Sequence, residues 1–385
     1  MMIVSAVDAK VSLRLIMLVF ALCCPTALAS ACARQPQPVP EVAPTREATP
    51  ASIASPSPTQ SVEAPETATT EATPTLVATP SVAERFTPVS WFHYGIGGLK
   101  GLEADTFARP TGLAVAPDGT LFVATAAHSH IFHIDPYGKV LASWGDFAQA
   151  GADGKAPPGT FNEPWGMAIT PDGFLYIADT WHHRMQKFSL DGQFAGEWGE
   201  GGQGNDPYKL FGPRGVAVDS RSRVLVTDTG NKRVVVYDAD GRFISQLGQA
   251  GAGPGEFDEP VGIAVDAQDN VYVADAWNRR VQVLHIDAAG SLSPRASWPV
   301  EGWGSQSVDH KPFLCLANGH VFATDPEHDR VLEYTPQGEL LKVYDINSTG
   351  AFGNGTPTGI ASDPAGGLWV SDLTLHMWLH ILPQQ

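Results

Sequence analysis

A block of about 50 residues recurs along this chain of 385 residues, and a fixed internal period is the sequence signature of a repeat architecture. The block is clearest from Phe161 to Gly199, where it reads FNEPWGMAITPDGFLYIADTWHHRMQKFSLDGQFAGEWG. Its opening anchor is a proline, any residue and then a glycine, and a degraded copy without the glycine begins at Lys311. The other copies begin at Phe107, Phe211, Phe257 and Gly355. The chain therefore contains six units.

Two further residues repeat within the units. An aspartate ends the second apolar run at Asp179, Asp228, Asp275, Asp325 and Asp372, and Thr125 takes that place in the first unit. An arginine follows five residues later at Arg184, Arg233, Arg280 and Arg330. We expect the aspartates to accept hydrogen bonds from the backbone of their own turns, as this residue does readily. We expect the arginines to form salt bridges between neighbouring units.

Each complete unit is predicted to contain four short β-strands separated by tight turns, because its alternating β-branched and aromatic runs are bounded by Gly, Pro, Asn and Asp. In the second unit the strands are predicted over Gly166–Thr170, Phe174–Ala178, Met185–Ser189 and Gln193–Trp198. Asp172-Gly173 suits a tight hairpin, since glycine accepts a positive φ without steric cost. Four strands at this period make one blade of a β-propeller. The sequence predicts an all-β, six-bladed propeller.

The ends of the repeat region predict how the ring closes. The sixth unit stops at Leu382, just after its third strand, whereas Pro88–Gly95 resembles an isolated fourth strand. We expect this N-terminal strand to complete the last blade, because pairing the two ends removes the exposed edges of an open sheet.

The segment before the repeats predicts export. Residues 1–31 carry two basic residues before an apolar run from Leu15 to Cys24, which is a secretory signal pattern and is too short to span a membrane. Leu28–Cys32 resembles a bacterial lipobox, which predicts a lipid on Cys32 and retention on a membrane at the cell surface. Ala29 departs from that pattern, and cleavage before Ser30 followed by simple secretion is the alternative.

Composition separates a tether from the folded part. Residues 32–85 are rich in Pro, Thr, Ala, Ser and Glu without apolar periodicity, so we expect a disordered tether, and residues 86–385 form the propeller. The formal charge of −17 argues against nucleic-acid binding through a basic field. Cys315 is the only cysteine after the tether and is expected to be a small buried hydrophobe in a monomer.

Three units resemble a known repeat. PWGMAITPDGFLYIADTWHHR, PRGVAVDSRSRVLVTDTGNKR and PVGIAVDAQDNVYVADAWNRR are similar to the NHL repeat, whose pattern is P-x-G-I-A-V-D followed by V-Y-V-A-D-T-G-N-x-R. The resemblance covers Phe107 to Leu382 and departs from the pattern in the first, fifth and sixth units. It implies the propeller fold but not one activity. Members range from protein and RNA interaction modules to a peptide-amidating lyase and lactonase-like relatives.

Propeller geometry should gather two sets of loops on one face around the central channel. These are the turns after each aspartate and the residues that follow each proline. Tryptophan and arginine are frequent binding anchors, so we predict a surface that binds a protein, peptide or glycan. Its candidate residues are Trp165, Trp181, Arg214, Trp277, Arg279, Asn231 and Asn278. Asn231 and Asn278 also suit turns, because asparagine tolerates left-handed backbone.

Histidines on the same face suggest an alternative. Imidazoles bind zinc, and the candidates are His128, His130, His182, His183 and His328. No compact ligand motif such as H-E-x-x-H occurs, so we expect no cofactor and keep zinc or calcium as the alternative. With a metal, the face would be that of a metal-dependent lyase or lactonase-like hydrolase. The sequence assigns no catalytic residue, and no G-x-S-x-G nucleophile motif is present.

Overall fold

A computed structural model describes residues 91–95, 107–199, 203–346 and 355–381, the first of these as backbone only. The predicted signal peptide, the lipidation site at Cys32 and the tether of residues 32–85 lie outside these ranges. Within them the chain consists of β-strands, turns and single-turn 3-10 helices such as Thr180–His182 and Thr229–Asn231. No helix of this described part is long and apolar enough to cross a membrane.

The strands form six four-stranded antiparallel sheets, the blades of the propeller. Blade 6 combines an N-terminal strand with three C-terminal ones: β1 (Trp91–Gly95), β22 (Pro357–Ser362), β23 (Leu368–Asp372) and β24 (Met377–Ile381). Blade 1 contains β2 (Pro110–Val115), β3 (Leu121–Thr125), β4 (His130–Ile134) and β5 (Val140–Trp144). Blade 2 contains β6 (Pro164–Ile169), β7 (Phe174–Asp179), β8 (Arg184–Ser189) and β9 (Phe194–Trp198).

The other three blades repeat this order of four consecutive strands. Blade 3 contains β10 (Pro213–Val218), β11 (Val224–Asp228), β12 (Arg233–Tyr237) and β13 (Phe243–Leu247). Blade 4 contains β14 (Pro260–Val265), β15 (Asn270–Asp275), β16 (Arg280–Ile286) and β17 (Leu292–Pro299). Blade 5 contains β18 (Leu314–Ala317), β19 (His320–Asp325), β20 (Arg330–Tyr334) and β21 (Leu340–Asp345).

These bounds confirm the predicted fold class. In blade 2 the four strands agree with the predicted ranges to within two residues at each end. Strand β1 pairs antiparallel with β24, from Trp91 opposite Ile381 to Gly95 opposite Met377. The outer edge of blade 6 is therefore the N-terminal strand.

The first strand of every blade lies innermost, because it contacts the first strands of both neighbouring blades. In five of the six blades a glycine near the start of this strand allows the approach. A Cβ added to Gly215 would overlap the backbone carbonyl of Val261 in blade 4, and one on Gly166 would overlap that of Arg214. Gly359 meets the carbonyl of Thr111 in the same way and joins blade 6 to blade 1. The glycine of the repeat is thus required by backbone packing around the channel.

Buried hydroxyl groups add hydrogen bonds between neighbouring blades. Thr227 Oγ1 donates to the carbonyl of Val261 at 2.6 Å, and Ser371 Oγ donates to that of Thr111 at 2.8 Å. Each bond runs from the second strand of one blade to the first strand of the next. Because the paired groups are buried, breaking a bond would leave an unsatisfied carbonyl, so these contacts help to fix the angle between blades.

Candidate functional site

The five repeated aspartates lie at the ends of second strands on one face of the ring, and all are fully buried. Asp228 represents them. Its Oδ1 accepts the backbone N–H of Phe211 at 2.7 Å, and its Oδ2 accepts Nδ2 of Asn231 at 2.8 Å and Nε of Arg233 at 2.7 Å. The predicted bond to the backbone of the aspartate's own turn is confirmed at Asp372, whose Oδ1 accepts the N–H groups of Thr374 and Leu375. It is wrong at Asp179, Asp228 and Asp275, whose Oδ1 accepts an N–H of the loop that enters the blade. We call the turns after these residues the aspartate loops.

The predicted salt bridges between blades are wrong. Arg233 pairs with Asp228 of its own blade, and the rest of its guanidinium donates to the carbonyls of Asn205, Asp206 and Lys209 in the loop that enters the blade. Arg184 repeats this arrangement in blade 2. The reason is geometric: five residues after the aspartate, the chain has turned back and the two residues are opposite each other on adjacent strands.

Burial decides the electrostatics of the aspartate loops. It raises the pKa of Asp228, Asp275 and Asp372, although hydrogen bonds from neighbouring donors oppose this shift. Groups that are this enclosed and already accept several hydrogen bonds have no room for an external ligand. The amides of Asn231 and Asn278 are committed in the same way, each to the aspartate three residues earlier and to a loop carbonyl.

The five candidate histidines are spread over three blades and have different surroundings. His182 is buried, with Nδ1 2.8 Å from Asp179 and Nε2 2.8 Å from the carbonyl of Ala148. His183 accepts the N–H of Gly212 at Nδ1, and burial lowers its pKa. His328 is exposed beside Asp325.

The remaining two candidates, in blade 1, are His128, which is exposed, and His130, which is half-buried and whose pKa burial lowers. Within the described ranges no three His, Cys, Asp or Glu side chains come together in an arrangement that could hold a metal ion. The metal site therefore stays a prediction from the sequence, without a ligand set in this part of the chain.

The residues that follow the prolines meet over the central channel. Trp165 of blade 2 stacks on Phe313 of blade 5, with ring centroids 6.0 Å apart and planes 15° apart. Val261 of blade 4 joins the same buried cluster. Trp165 is only 1% exposed, so it forms part of the core below the mouth rather than an accessible anchor.

Arg214 of blade 3 lies over the ring of Trp165. Its Cζ is 4.4 Å from the ring centroid of Trp165 and 5.9 Å from that of Trp181. The residue is 4% exposed, yet its Nη1 has no hydrogen-bond partner among the described residues. Burial lowers the pKa of this guanidinium, while the charges of Glu259, Glu163 and Asp309 oppose the shift. A buried donor without an acceptor is costly, which makes the position unusual.

A network of ion pairs lies beside Arg214. Glu259 Oε1 accepts Nζ of the buried Lys311 at 2.7 Å, and its Oε2 accepts Nζ of Lys232 at 3.2 Å. Both ammonium groups lie over the ring of Trp277, at 5.1 and 4.8 Å from the centroid. Burial opposes ionisation of Glu259, but the cations Lys311, Lys232 and Arg214 outweigh it and hold the pKa of this carboxyl below its ordinary value.

We call these residues around the channel the mouth cluster. Its members are Trp165, Trp181, Arg214, Lys232, Glu259, Trp277, Lys311 and Phe313. Trp181 is 39% exposed and Trp277 is half-buried, so these two present aromatic surface beside the cations. The indole Nε1 of Trp277, like that of Trp165, is buried and has no hydrogen-bond partner within the described ranges.

Sequence reasoning missed the residue directly before each proline. Glu163 and Glu259 have left-handed backbone there, with φ of 52° and 62°, and Arg109 adopts it at 55°. Arg109 forms a salt bridge across the mouth with Asp309 of the loop that enters blade 5. The available signal was a charged residue before the proline in four of six units, as ARP, NEP, DEP and KP.

Arg279 lies apart from the mouth cluster. It is exposed and lines an open groove of about 470 Å³ between blades 4 and 5, together with Trp303 and Glu327. The carboxylate of Glu327 accepts the N–H of Gly304 at 2.6 Å in the wall of this groove. The structure therefore brings Trp165, Trp181, Arg214 and Trp277 together and leaves Arg279 in a separate depression.

Comparison with known proteins supports the propeller fold. Residues 161–188 match the NHL repeat, and residues 214–291 match a family described as a 6-bladed beta-propeller. The chain is a six-bladed β-propeller with NHL repeats. The propeller is similar to a streptogramin B lyase structure, with 13% identity, a TM-score of 0.50 and coverage of 79% of this chain and 99% of that one. It is also similar to a catalytically inactive virginiamycin B lyase from Staphylococcus aureus, at 13% identity and a TM-score of 0.50, over 76% and 99% of the two chains. At this identity the likeness concerns the fold alone.

Two curated relatives match short parts of this NHL propeller. Peptidylglycine alpha-amidating monooxygenase of Rattus norvegicus is 31% identical over 105 residues, which are 26% of this chain and 10% of that protein. Protein SUPPRESSOR OF QUENCHING 1, chloroplastic, of Arabidopsis thaliana is 32% identical over 89 residues, 23% of this chain and 8% of that protein. The matches span about a tenth of each relative's length.

Proposed function

We propose that this NHL propeller is a binding module that holds a protein, peptide or glycan ligand at the mouth cluster. The observation that carries the proposal is the meeting of accessible aromatic surface with buried donors that have no acceptor among the described residues. Trp181 and the half-buried Trp277 supply the surface, and Arg214 Nη1 supplies the clearest such donor. A ligand that stacks on the indoles and accepts from these donors would satisfy both features.

The aspartate loops differ from the mouth cluster, and this difference supports the choice of site. Their buried carboxylates and arginines already make hydrogen bonds to one another and to the entering loops. They repeat in several blades, whereas Arg214 is the only arginine at its repeat position, and tryptophan occurs at the shared position of Trp181 and Trp277 in only two of the six units. Binding at the mouth cluster would therefore leave the framework of the ring unchanged.

The test is capture of ligands from peptide and glycan arrays by the purified full chain. We expect the double variant Trp181→Ala/Trp277→Ala to lose at least tenfold in signal on every probe that the wild-type chain captures. Tyr137→Ala is the matched control, because Tyr137 is 80% exposed in the turn between the third and fourth strands of blade 1, away from the mouth. Thermal unfolding of each variant checks that the ring is intact. Full retention of the array signal by the double variant would contradict the proposed site.

We also propose that the module is exported and held at the cell surface by a lipid on Cys32. The support is the signal pattern of residues 1–31 and the resemblance of Leu28–Cys32 to a lipobox. In bacterial cells fed labelled palmitate, the wild-type chain should carry label and Cys32→Ser should not. Cys315→Ser is the control and should remain labelled, since Cys315 is buried in blade 5. Equal labelling of all three chains would refute the anchor.

A further inference from the structure

We propose that Arg214 receives a single carboxylate group of the ligand, whose flat or apolar part stacks on Trp181. This inference rests on the proposed function and narrows it to a class of ligand. It follows from three properties of the mouth cluster: a buried guanidinium whose Nη1 has no acceptor among the described residues, nearby acids of which two are already paired with other cations, and an exposed aromatic ring within reach.

The guanidinium of Arg214 differs from the other buried arginines of the ring. Arg184 and Arg233 use their donors on an aspartate and on backbone carbonyls. Arg214 instead packs over the ring of Trp165, and its Nη1 lacks an acceptor in the described part of the chain. An aromatic face stabilises a cation, but it does not replace the in-plane oxygen that an arginine N–H requires. The missing partner is an oxygen acceptor.

The protein's own acids do not fill this place. Glu259 is held by Lys311 and Lys232, and Asp309 is held by Arg109. Glu163, the third acid whose charge acts on Arg214, forms no ion pair with it in the described part of the chain. Their charges act on Arg214 from a distance and favour its protonated form. The planar guanidinium matches a carboxylate with two parallel hydrogen bonds, which are among the strongest in proteins. A carboxylate from outside would therefore complete the local ion pairs.

The charge of the whole protein limits the ligand to few negative groups. A formal charge of −17 opposes the approach of a polyanion. A single carboxylate on an otherwise uncharged molecule avoids most of this repulsion and still reaches the local cation. Trp181, 5.9 Å from the guanidinium and partly exposed, offers a face for a sugar ring or an aromatic group next to that carboxylate.

Two matched pairs of probes test the proposal on the purified full chain, with dissociation constants measured by ligand-observed NMR. The first pair is glucuronate and glucose, and the second is N-acetyltyrosine and N-acetyltyrosinamide. We expect the acid of at least one pair to have a dissociation constant at least tenfold lower than that of its neutral partner. The pair that shows this preference identifies whether the ligand's carboxylate belongs to a sugar or to an amino acid. In Arg214→Met this preference should fall to about onefold.

Arg242→Met is the control, because Arg242 lies exposed in the turn before the last strand of the same blade and pairs with Asp238 and Asp240. It should keep the wild-type preference. Equal affinity within twofold for acid and neutral members of both pairs, absence of binding included, overturns the proposal, as does a preference that survives Arg214→Met. If array capture still depends on Trp181 and Trp277 while no acid preference exists, the binding module stands and the carboxylate site fails. If array capture does not depend on Trp181 and Trp277 and no acid preference exists, both the binding module and the carboxylate site are rejected.

Discussion

Arg233 and Arg214 belong to the same blade and are equally buried, at 3% and 4% exposure, yet their surroundings are opposite. Arg233 is bonded to an aspartate, a glutamine and three loop carbonyls. Arg214 has an aromatic ring beneath it and an Nη1 without a partner among the described residues. Both are desolvated cations, so burial alone does not distinguish a structural arginine from the arginine of the proposed binding site. The number of guanidinium N–H groups that have an acceptor distinguishes them.

The difference between Arg233 and Arg214 agrees with how often arginine occurs at their positions in the repeat. Arg233 occupies a position at which four of the six units carry arginine, and its contacts hold the entering loop to the blade. Arg214 occupies a position at which the other units have Thr, Trp, Val, Phe and Thr. A side chain that varies between units is not needed to build a blade. It is therefore available for the ligand that we propose at the mouth cluster.

The largest expected effect is the loss of Arg233. Arg233→Met leaves the buried carboxylate of Asp228 without its cation and three loop carbonyls without their donor. We expect the free energy of unfolding to fall by about 3–5 kcal/mol, as when one partner of a buried ion pair is removed. Denaturant unfolding followed by tryptophan fluorescence measures it. Arg242→Met, which removes only an exposed pair, should change stability by less than about 1 kcal/mol, and equal effects of the two variants would break the comparison.

The next effect tests whether the positions common to most units form the framework. In Gly215→Ala the new Cβ would overlap the carbonyl of Val261 in the neighbouring blade. Backbone cannot move aside as a flexible side chain can, so we expect a loss of about 1–3 kcal/mol or more, by the same denaturant measurement. Gly196→Ala is the control, because nothing lies within 4 Å of a Cβ at this outer-strand position. A Gly215→Ala chain as stable as the control would show that the blades can separate without cost.

These contrasts explain how far the sequence could predict the molecule. The fold was predictable because glycine, aspartate and turn residues recur wherever the backbone requires them, as at Gly215 and Asp228. The face was predictable in outline, since propeller geometry places Trp181, Arg214 and Trp277 on it. The burial of Trp165 was not predictable, because Phe313, about 150 residues later in the chain, covers it. No local sequence pattern encodes such a contact. Pairing of Glu259 with Lys311 was missed for the same reason.

A smaller effect on stability is expected at Arg214 itself. Arg214→Met removes a buried charge whose Nη1 has no acceptor within the described ranges, and replaces it with an apolar chain of similar length. The lost cation–π contact and the regained desolvation energy should nearly cancel, so we expect a change within about 1 kcal/mol, of either sign. Denaturant unfolding beside Arg233→Met measures the contrast directly. A loss of about 3 kcal/mol or more would mean that Arg214 is a framework residue after all.

The smallest effect concerns pH, because the two regions respond to acid with opposite signs. The pKa of Glu259 is held low by its cations, so its contribution to stability is present above the ordinary value of about 4.3 and is lost as the pH falls through the lowered folded value. The pKa of Asp228 is raised by burial, so the folded state binds its proton first and acid favours folding there. In Glu259→Gln the contribution of the Glu259 carboxylate to stability is absent at every pH. The stability difference between wild type and Glu259→Gln should therefore be largest near neutrality and shrink below pH about 4. Denaturant unfolding at pH 7, 5 and 3 measures this difference, and a difference that grows on acidification would mean that the mouth carboxylate behaves like those of the aspartate loops.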